Sequence, residues 1–330
     1  MKTILFLTGT RADFGKLKSL IEECISKSDI KVIIVVTGMH LIKKFGYTVK
    51  EVKKVNARII TFPNHLTSYK MEICLSETIK GLSKVIDKIC PNLIVVHGDR
   101  VETLAGAMVG SLRNILVAHI EGGEKSGSVD ESLRHSISKL SHVHLVGNAE
   151  AKKRLIQMGE KKNSIHIIGS PDLDIIVKKN LPPLSEVKKY YSINFHKYSI
   201  AMLHPVTTEI IETAKNTEIF VESLIKSDKD YVVIYPNNDY GYEEILKKYQ
   251  KLSSNNKFIL LPSMRFEYFI TLLKNSDFII GNSSTGIKES PFLGVPSINI
   301  GSRQNERTIS QLILNSNFDT ATILNKINKV

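Results

Sequence analysis

Short apolar runs rich in branched residues alternate along the chain with longer stretches in which apolar positions return every three or four residues. In the first half TILFLT, KVIIVV, NLIVV, ILVAHI, HVHLV and SIHIIG are too short for helices and are predicted to be strands. They read as buried strands. Helical periodicity falls between them, at about residues 12–27, 69–89, 100–113, 130–141 and 148–159. This alternation predicts an α/β fold with a doubly wound parallel sheet. From Ser170 to Tyr198 the chain carries a Pro-Pro pair and no strand-like run, which suits a linker with a crossing helix. A second series then begins with YSIAMLH, DYVVIYP, KFILLP, DFIIG and PSINIG. The expectation is two Rossmann-like domains, 1–170 and 198–330, joined by 171–197, with no solenoid repeat and no low-complexity tract.

Composition narrows the field. A chain of 330 residues, 42% hydrophobic and 24% charged, suits two globular domains better than one core. No apolar run approaches the roughly 18–20 residues that span a bilayer, and Met1-Lys2 leads directly into a strand-like run, so a soluble cytoplasmic protein with no membrane partner is expected. The cysteines, Cys24, Cys74 and Cys90, are odd in number, form no CxxC pair and read as packing residues in helices. The formal charge of +12 permits a polyanionic partner. Yet the lysines of KKRLIQMGEKK and EEILKKYQK recur at helical spacing among glutamates, as on solvated helix faces, and no aromatic-basic cluster appears. A small phosphate-bearing ligand accounts for the positive field without nucleic acid. His142 and His144 lack metal-ligand spacing, so no metal is expected.

Ligands of open α/β sheets bind beyond the carboxyl ends of the strands, and there the chain is rich in chemistry. The stretch HIEGGEKSGSVDESLRH, residues 119–135, brings Glu121, Glu124, Asp130 and Glu131 close together in sequence. Asp130 with Arg134 and Glu131 with His135 are also spaced as i,i+4 pairs of a helix start, and Glu124 reads as solvated. Asp99, after the fourth strand, is either a helix cap or an acid facing the same rim. GNSSTGIKE, residues 281–289, has small residues that let backbone N–H groups and the hydroxyls of Ser283 and Ser284 approach a phosphate at a helix N-terminus; an ordinary cap is the alternative. Glu289 is placed either for ribose hydroxyls or at the surface. Arg11 and Arg303 follow the first and last clear strands and are suited to clamping a diphosphate, or to surface ion pairs. His97 and His119 read as hydrogen-bonded core histidines, whereas His204 ends the first strand of the second half with Pro205 stiffening the loop.

Together, TGTRADFGKLKSL, VTGMH, HGDRVETLAGA, HIEGGEKSGSVDESLRHSISKLSH, IGSPDLD, HPVTTE, YPNND and GNSSTGIKESPFLGVPSINIGSRQ closely resemble the hydrolysing UDP-N-acetylglucosamine 2-epimerases, the bacterial sialic-acid branch above all. The resemblance runs from the first residues to about Arg307. It implies a glycosyltransferase-B-like fold with the active site between two Rossmann-like domains, no metal or other cofactor, a nucleotide-sugar substrate and a homodimer or homotetramer. It places Asp99, Glu121, Asp130 and Glu131 among the catalytic carboxylates and His204 at the substrate diphosphate. Arg11, Ser283, Ser284, Gly286, Glu289 and Arg303 fall on nucleotide-binding positions, and Arg100, Arg134 and Asn237 on supporting ones. The family usually has Asp-Asp at Asp130-Glu131, and relatives continue for a few dozen residues past the position of Val330. The implied reaction converts UDP-N-acetylglucosamine and water to UDP and N-acetylmannosamine through 2-acetamidoglucal. Sister enzymes with nearly the same motifs act on UDP- or GDP-linked 2,4-diacetamido-trideoxy sugars of legionaminic acid synthesis. A non-catalytic sugar-nucleotide binder is a third possibility, against which the full acid set argues.

Overall fold

The inner apolar runs form strands where the pattern places them. A computed structural model describes residues 1–65, 70–126, 129–177, 181–237, 239–304 and 310–330. The first sheet contains β1 (Lys2–Thr8), β2 (Ile30–Val36), β3 (Arg58–Thr61), β4 (Leu93–His97), β5 (Leu116–Ile120), β6 (Val143–Val146) and β7 (Ile165–Ile167) in the order β3-β2-β1-β4-β5-β6-β7. The second contains β8 (Ser199–Met202), β9 (Tyr231–Ile234), β10 (Phe258–Leu261), β11 (Ile279–Gly281), β12 (Ser297–Ile300) and β13 (Ile313–Ser316) in the order β10-β9-β8-β11-β12-β13. Neighbouring strands pair in parallel in both sheets. Strand order therefore reverses between β1 and β4 and between β8 and β11, opening the crevice that such sheets use for ligands. Each unit is Rossmann-like, as in glycosyltransferase-B-like proteins.

The period of two along β1 explains why both faces must be covered. Leu5 and Leu7 pack with Val35, Ile94 and Val96 under Leu82, Val85 and Ile86 of the helix Met71–Ile89. Phe6 packs on the other face with Ile34, Val36 and Val95 under Phe14, Leu17 and Ile21 of the helix Arg11–Ile25. Each such side chain contributes on the order of 1.5–3 kcal/mol by leaving water. In the second sheet Ala201, Val233, Ile280 and Ile298 pack with Phe220, Leu224, Ile245 and Ile323.

The chain divides into two compact units, one of Met1–Lys125 with Asp130–Lys178 and one of Ser126–Val129 with Lys179–Val330. The stretch expected to hold one crossing helix holds two, Pro171–Val177 and Leu184–Tyr191, the second capped by Pro183. Cys90 departs from its expected helical packing: it is an exposed C-cap in the left-handed conformation. Among the described residues no helix is long and apolar enough to cross a membrane.

Candidate active site

In the first unit the loop after β1 is built as a polar lattice. Thr10 caps the helix Arg11–Ile25 and Asp13 completes a capping box. The Asp13 carboxylate accepts from the Thr8 hydroxyl at 2.6 Å, Gly9 N–H at 2.9 Å and Thr10 N–H at 3.0 Å. That fixes where the half-buried Arg11, the first helical residue, leaves the backbone. His40 lies beneath, its ring nitrogens 3.0 Å from Thr8 Oγ1 and 2.7 Å from Thr48 Oγ1. Burial lowers its pKa to about 4, so the ring is neutral at pH 7.

The carboxylates stand at the ends of β4 and β5 and on the following helix. Asp99 does not cap the helix Val101–Leu112, whose N-cap is Arg100. Its carboxylate instead accepts from Arg134 Nη2. Arg134 is 1% exposed and also donates from Nη1 to the Glu124 carbonyl at 2.9 Å. Burial opposes its charge, but Asp99, Glu124 and Asp130 outweigh burial and raise its pKa. One buried guanidinium thus ties the loop after β4 to the loop that leads from Glu121 to the acidic helix. That helix, Val129–Lys139, carries half-buried Asp130 and Glu131 in its first turn, with Glu131 Oε1 3.7 Å from His135 Nε2 as the spacing foretold. Glu124, expected to be solvated, is half-buried instead, and a Cβ on Gly147 would stand 3.4 Å from its Oε1.

Glu121 has the left-handed backbone conformation, φ +62°, which L side chains adopt at a cost of about 1–2 kcal/mol. It is nonetheless buried and held: its N–H donates to the Leu145 carbonyl at 2.9 Å, Ser170 Oγ donates to Oε1 at 3.0 Å and Lys16 Nζ to Oε2 at 3.4 Å. His97 Nε2 lies 3.3 Å from the same Oε2. Strain kept in place by this many partners makes Glu121 a candidate for function. The glycines that follow are forced by packing, since a Cβ on Gly122 would stand 2.7 Å from Ser138 Oγ and 2.8 Å from His119 Nδ1. His119 is the core histidine expected: Nε2 donates to the Gly98 carbonyl at 2.7 Å, leaving Nδ1 to face Ser138 Oγ at 3.0 Å. Burial lowers its pKa to about 3.

Sequence reasoning missed Lys16, Asp13 and Glu102. Glu102 is 3% exposed and receives Arg100 Nε at 3.2 Å and Asn64 Nδ2 at 3.1 Å. Its carboxylate fills the space that a Cβ on Gly9 or Gly38 would take. The one available signal was the placement of a glutamate in a helix otherwise made of small and apolar residues.

In the second unit the loop after β8 presents His204, 7% exposed. Its Nδ1 accepts from Asn237 N–H at 3.2 Å, which leaves the proton of the neutral ring on Nε2. Asn237 therefore acts through its backbone. Across the reversal of strand order, after β11, Ser283 Oγ accepts from Thr285 N–H at 3.3 Å as the cap of a single 3-10 turn, Ser284–Gly286. A four-residue helix, Glu289–Phe292, follows. The helix N-terminus expected here is thus a tight turn with little dipole, since Pro291 and Gly294 shorten what comes after. Hydroxyls and backbone amides remain as anion donors. Gly286 is fixed by contact, a Cβ there falling 2.5 Å from Ser297 Oγ. Glu289 is 2% exposed, and its Oε2 is buried without a hydrogen bond. Arg303 is half-buried and donates from Nη1 to the Asn282 carbonyl at 3.4 Å. Among the described residues no group of three His, Cys, Asp or Glu is arranged to hold a metal ion.

The model of the UDP-N-acetylglucosamine 2-epimerase family matches residues 22–330. The chain belongs to that family. A UDP-N-acetylglucosamine 2-epimerase of Neisseria meningitidis serogroup B is 49% identical over 328 residues, spanning 99% of this chain and 87% of that protein. The UDP-N,N'-diacetylbacillosamine 2-epimerase (hydrolyzing) of Legionella pneumophila is 33% identical over 319 residues, 95% of this chain and 85% of that one. In fold, this epimerase-family chain matches the UDP-GlcNAc 2-epimerase of Methanocaldococcus jannaschii, solved in complex with UDP-GlcNAc and UDP, with a TM-score of 0.81 at 22% identity, covering 100% of this chain and 92% of that chain.

Proposed function

We propose that this member of the family is a cytoplasmic, hydrolysing UDP-N-acetylglucosamine 2-epimerase that supplies N-acetylmannosamine for sialic acid synthesis and works as a homodimer or homotetramer. The observation that carries the reading is the strained, fully partnered Glu121 beside the Asp99–Arg134 pair, with Asp130 and Glu131 on the adjoining helix. Identity of 49% to a UDP-N-acetylglucosamine 2-epimerase supports the substrate.

The chemistry explains why several acids are needed. The C2 proton of the sugar is not α to a carbonyl, so it becomes acidic only as the C1–O bond to UDP breaks and positive character grows on the ring. One carboxylate takes that proton while the C1–O electron pair leaves with UDP and the C2–H pair forms the C1=C2 bond of 2-acetamidoglucal. A second carboxylate then protonates C2 from the opposite face while another removes a proton from the water that attacks C1. Asp99, Glu121, Asp130 and Glu131 supply these groups in our reading, with Arg134 and Arg100 holding the loops. His204 Nε2–H, Arg11, Arg303 and the hydroxyls of Ser283 and Ser284 stabilise the charge that builds on the diphosphate, Gly286 keeps the turn open to it, and Glu289 Oε2 accepts from ribose. No cofactor enters.

The test is product NMR after incubation with UDP-N-acetylglucosamine in D2O. N-acetylmannosamine with deuterium at C2 is expected, and protium there rules the elimination route out. A second reading, a UDP- or GDP-linked 2,4-diacetamido-trideoxyglucose as substrate, has support in the 33% identical diacetylbacillosamine enzyme. Faster turnover of that sugar than of UDP-N-acetylglucosamine would replace the first reading by the second.

A further inference from the structure

We infer that Asn282 is a positioning residue for the diphosphate-binding histidine, a role that rests on the assignment of His204 just proposed. Asn282 lies in the loop after β11 and is 1% exposed. Its planar amide takes up both backbone groups of a residue on the neighbouring strand's loop: Oδ1 accepts from His204 N–H at 2.7 Å, and Nδ2 donates to the His204 carbonyl at 2.8 Å. Its own backbone is engaged as well. The N–H donates to the Met202 carbonyl at 3.1 Å, and the carbonyl accepts from Gln304 Nε2 at 2.9 Å and Arg303 Nη1 at 3.4 Å. Three loops around the reversal of strand order therefore meet on one side chain and its peptide.

Each loop brings a group assigned to the nucleotide: His204, Ser283 with Ser284, and Arg303. Approach this close is possible because Gly281 takes φ +137°, where any Cβ would lie 1.8 Å from the Met202 carbonyl. With the main chain of His204 gripped by Asn282 and its Nδ1 engaged by Asn237 N–H, the ring has its orientation and tautomer set before ligand arrives. Such preorganisation raises affinity by sparing the ordering of the ring on binding. A buried asparagine that merely filled space would not need its donor and acceptor pointed at one residue. Aspartate has the same shape but lacks the donor, and it would set a carboxylate oxygen against the His204 carbonyl.

The experiment pairs Asn282→Asp with His204→Ala in a double-mutant cycle. UDP affinity is read by calorimetry, and the imidazole signals by NMR of protein labelled with 15N-histidine. Asn282→Asp is expected to weaken UDP about tenfold, the scale of one buried hydrogen bond lost beside another left unsatisfied. In the His204→Ala background the same change should cost less than about twofold, because the partner through which Asn282 acts is gone. The His204 ring signals, with Nε2 protonated in the native protein, should shift or broaden in Asn282→Asp. Equal losses in the two backgrounds, or unchanged ring signals in a folded variant, overturn the inference. Should His204→Ala leave UDP affinity intact, it is the diphosphate assignment that fails, and the ring signals still decide whether Asn282 holds His204. Asn282→Ser, which keeps a hydroxyl in place of the amide, serves if the aspartate variant does not fold, with the same outcomes expected.

Discussion

At the scale of single residues, the arrangement around Glu121 in our reading separates chemistry from support. Glu121 takes a backbone conformation that costs free energy, and Lys16 and Ser170 hold its two oxygens apart in role. Replacing Glu121 by glutamine keeps the shape and removes the capacity to exchange a proton. Steady-state turnover of UDP-N-acetylglucosamine by that variant is expected to fall by at least about 100-fold, the lower end of what a positioned acid or base contributes. Arg134 makes the contrasting case. It is buried, bonded to Asp99 and to the Glu124 carbonyl, and its removal takes a charge-assisted donor from each. Asp99 keeps part of its carboxylate in water, so the loss is that of charge-assisted hydrogen bonds rather than of a fully buried pair. Urea unfolding of Arg134→Ala should therefore show a loss of about 2 kcal/mol, and a stability within error of the parent would refute the tie.

Elements carry a pH dependence that single sites do not. His40 ties the 3-10 turn Gly38–Leu41, which follows β2, to Thr8 of β1, and His119 ties β5 to the Gly98 carbonyl after β4. Both pKa values lie below the free value of 6.5, His40 at about 4 and His119 at about 3, because burial disfavours the charged ring. Below pH 6.5 the unfolded chain binds protons that the folded chain refuses. The stability these rings confer is thus complete above pH 6.5 and is lost as pH falls toward 4, at up to about 1.4 kcal/mol per pH unit for each. His119→Gln retains a donor for the Gly98 carbonyl and removes one titrating group. Its unfolding free energy should decline less steeply between pH 6.5 and 4.5 than the parent's; parallel slopes would show that His119 takes its proton while folded.

Elements also show what was legible beforehand. Strands covered on both faces, such as β1, β2, β4 and β9, announce themselves as apolar runs because nothing polar fits them. The edge strands β3 and β13 escaped notice, being short, half-exposed and mixed, with Arg58 in one and Asn315 in the other. The acids and His204 stood out as candidates because they follow strand ends, where open α/β sheets bind ligands. Glu102 and Asn282 did not. Their meaning lies in partners far along the chain, 38 residues for Glu102 and Asn64 and 78 for Asn282 and His204, which no local pattern reveals. For Asp99 the cap alternative stayed open for the same reason, its partner Arg134 being 35 residues away.

For the whole molecule, our reading divides labour between the two units: carboxylates that act on the sugar lie in the first, and groups that hold UDP lie mostly in the second. A ligand that binds only the folded state stabilises it by RT ln(1 + [L]/Kd), about 2.7 kcal/mol at a hundredfold excess over Kd. The division predicts different responses from variants that are alike in lacking activity. Glu121→Gln should gain the full 2.7 kcal/mol or so from UDP, because its carboxylate works on a sugar that UDP lacks. Arg303→Ala should gain only about 1.4 kcal/mol at the same UDP concentration if its guanidinium accounts for a tenfold share of affinity. Urea unfolding with and without UDP distinguishes the two without any turnover. If Glu121→Gln loses the UDP effect while Arg303→Ala keeps it, the assignment is reversed, and the acids would have to be read as part of the nucleotide site rather than as the groups that move protons on the ring.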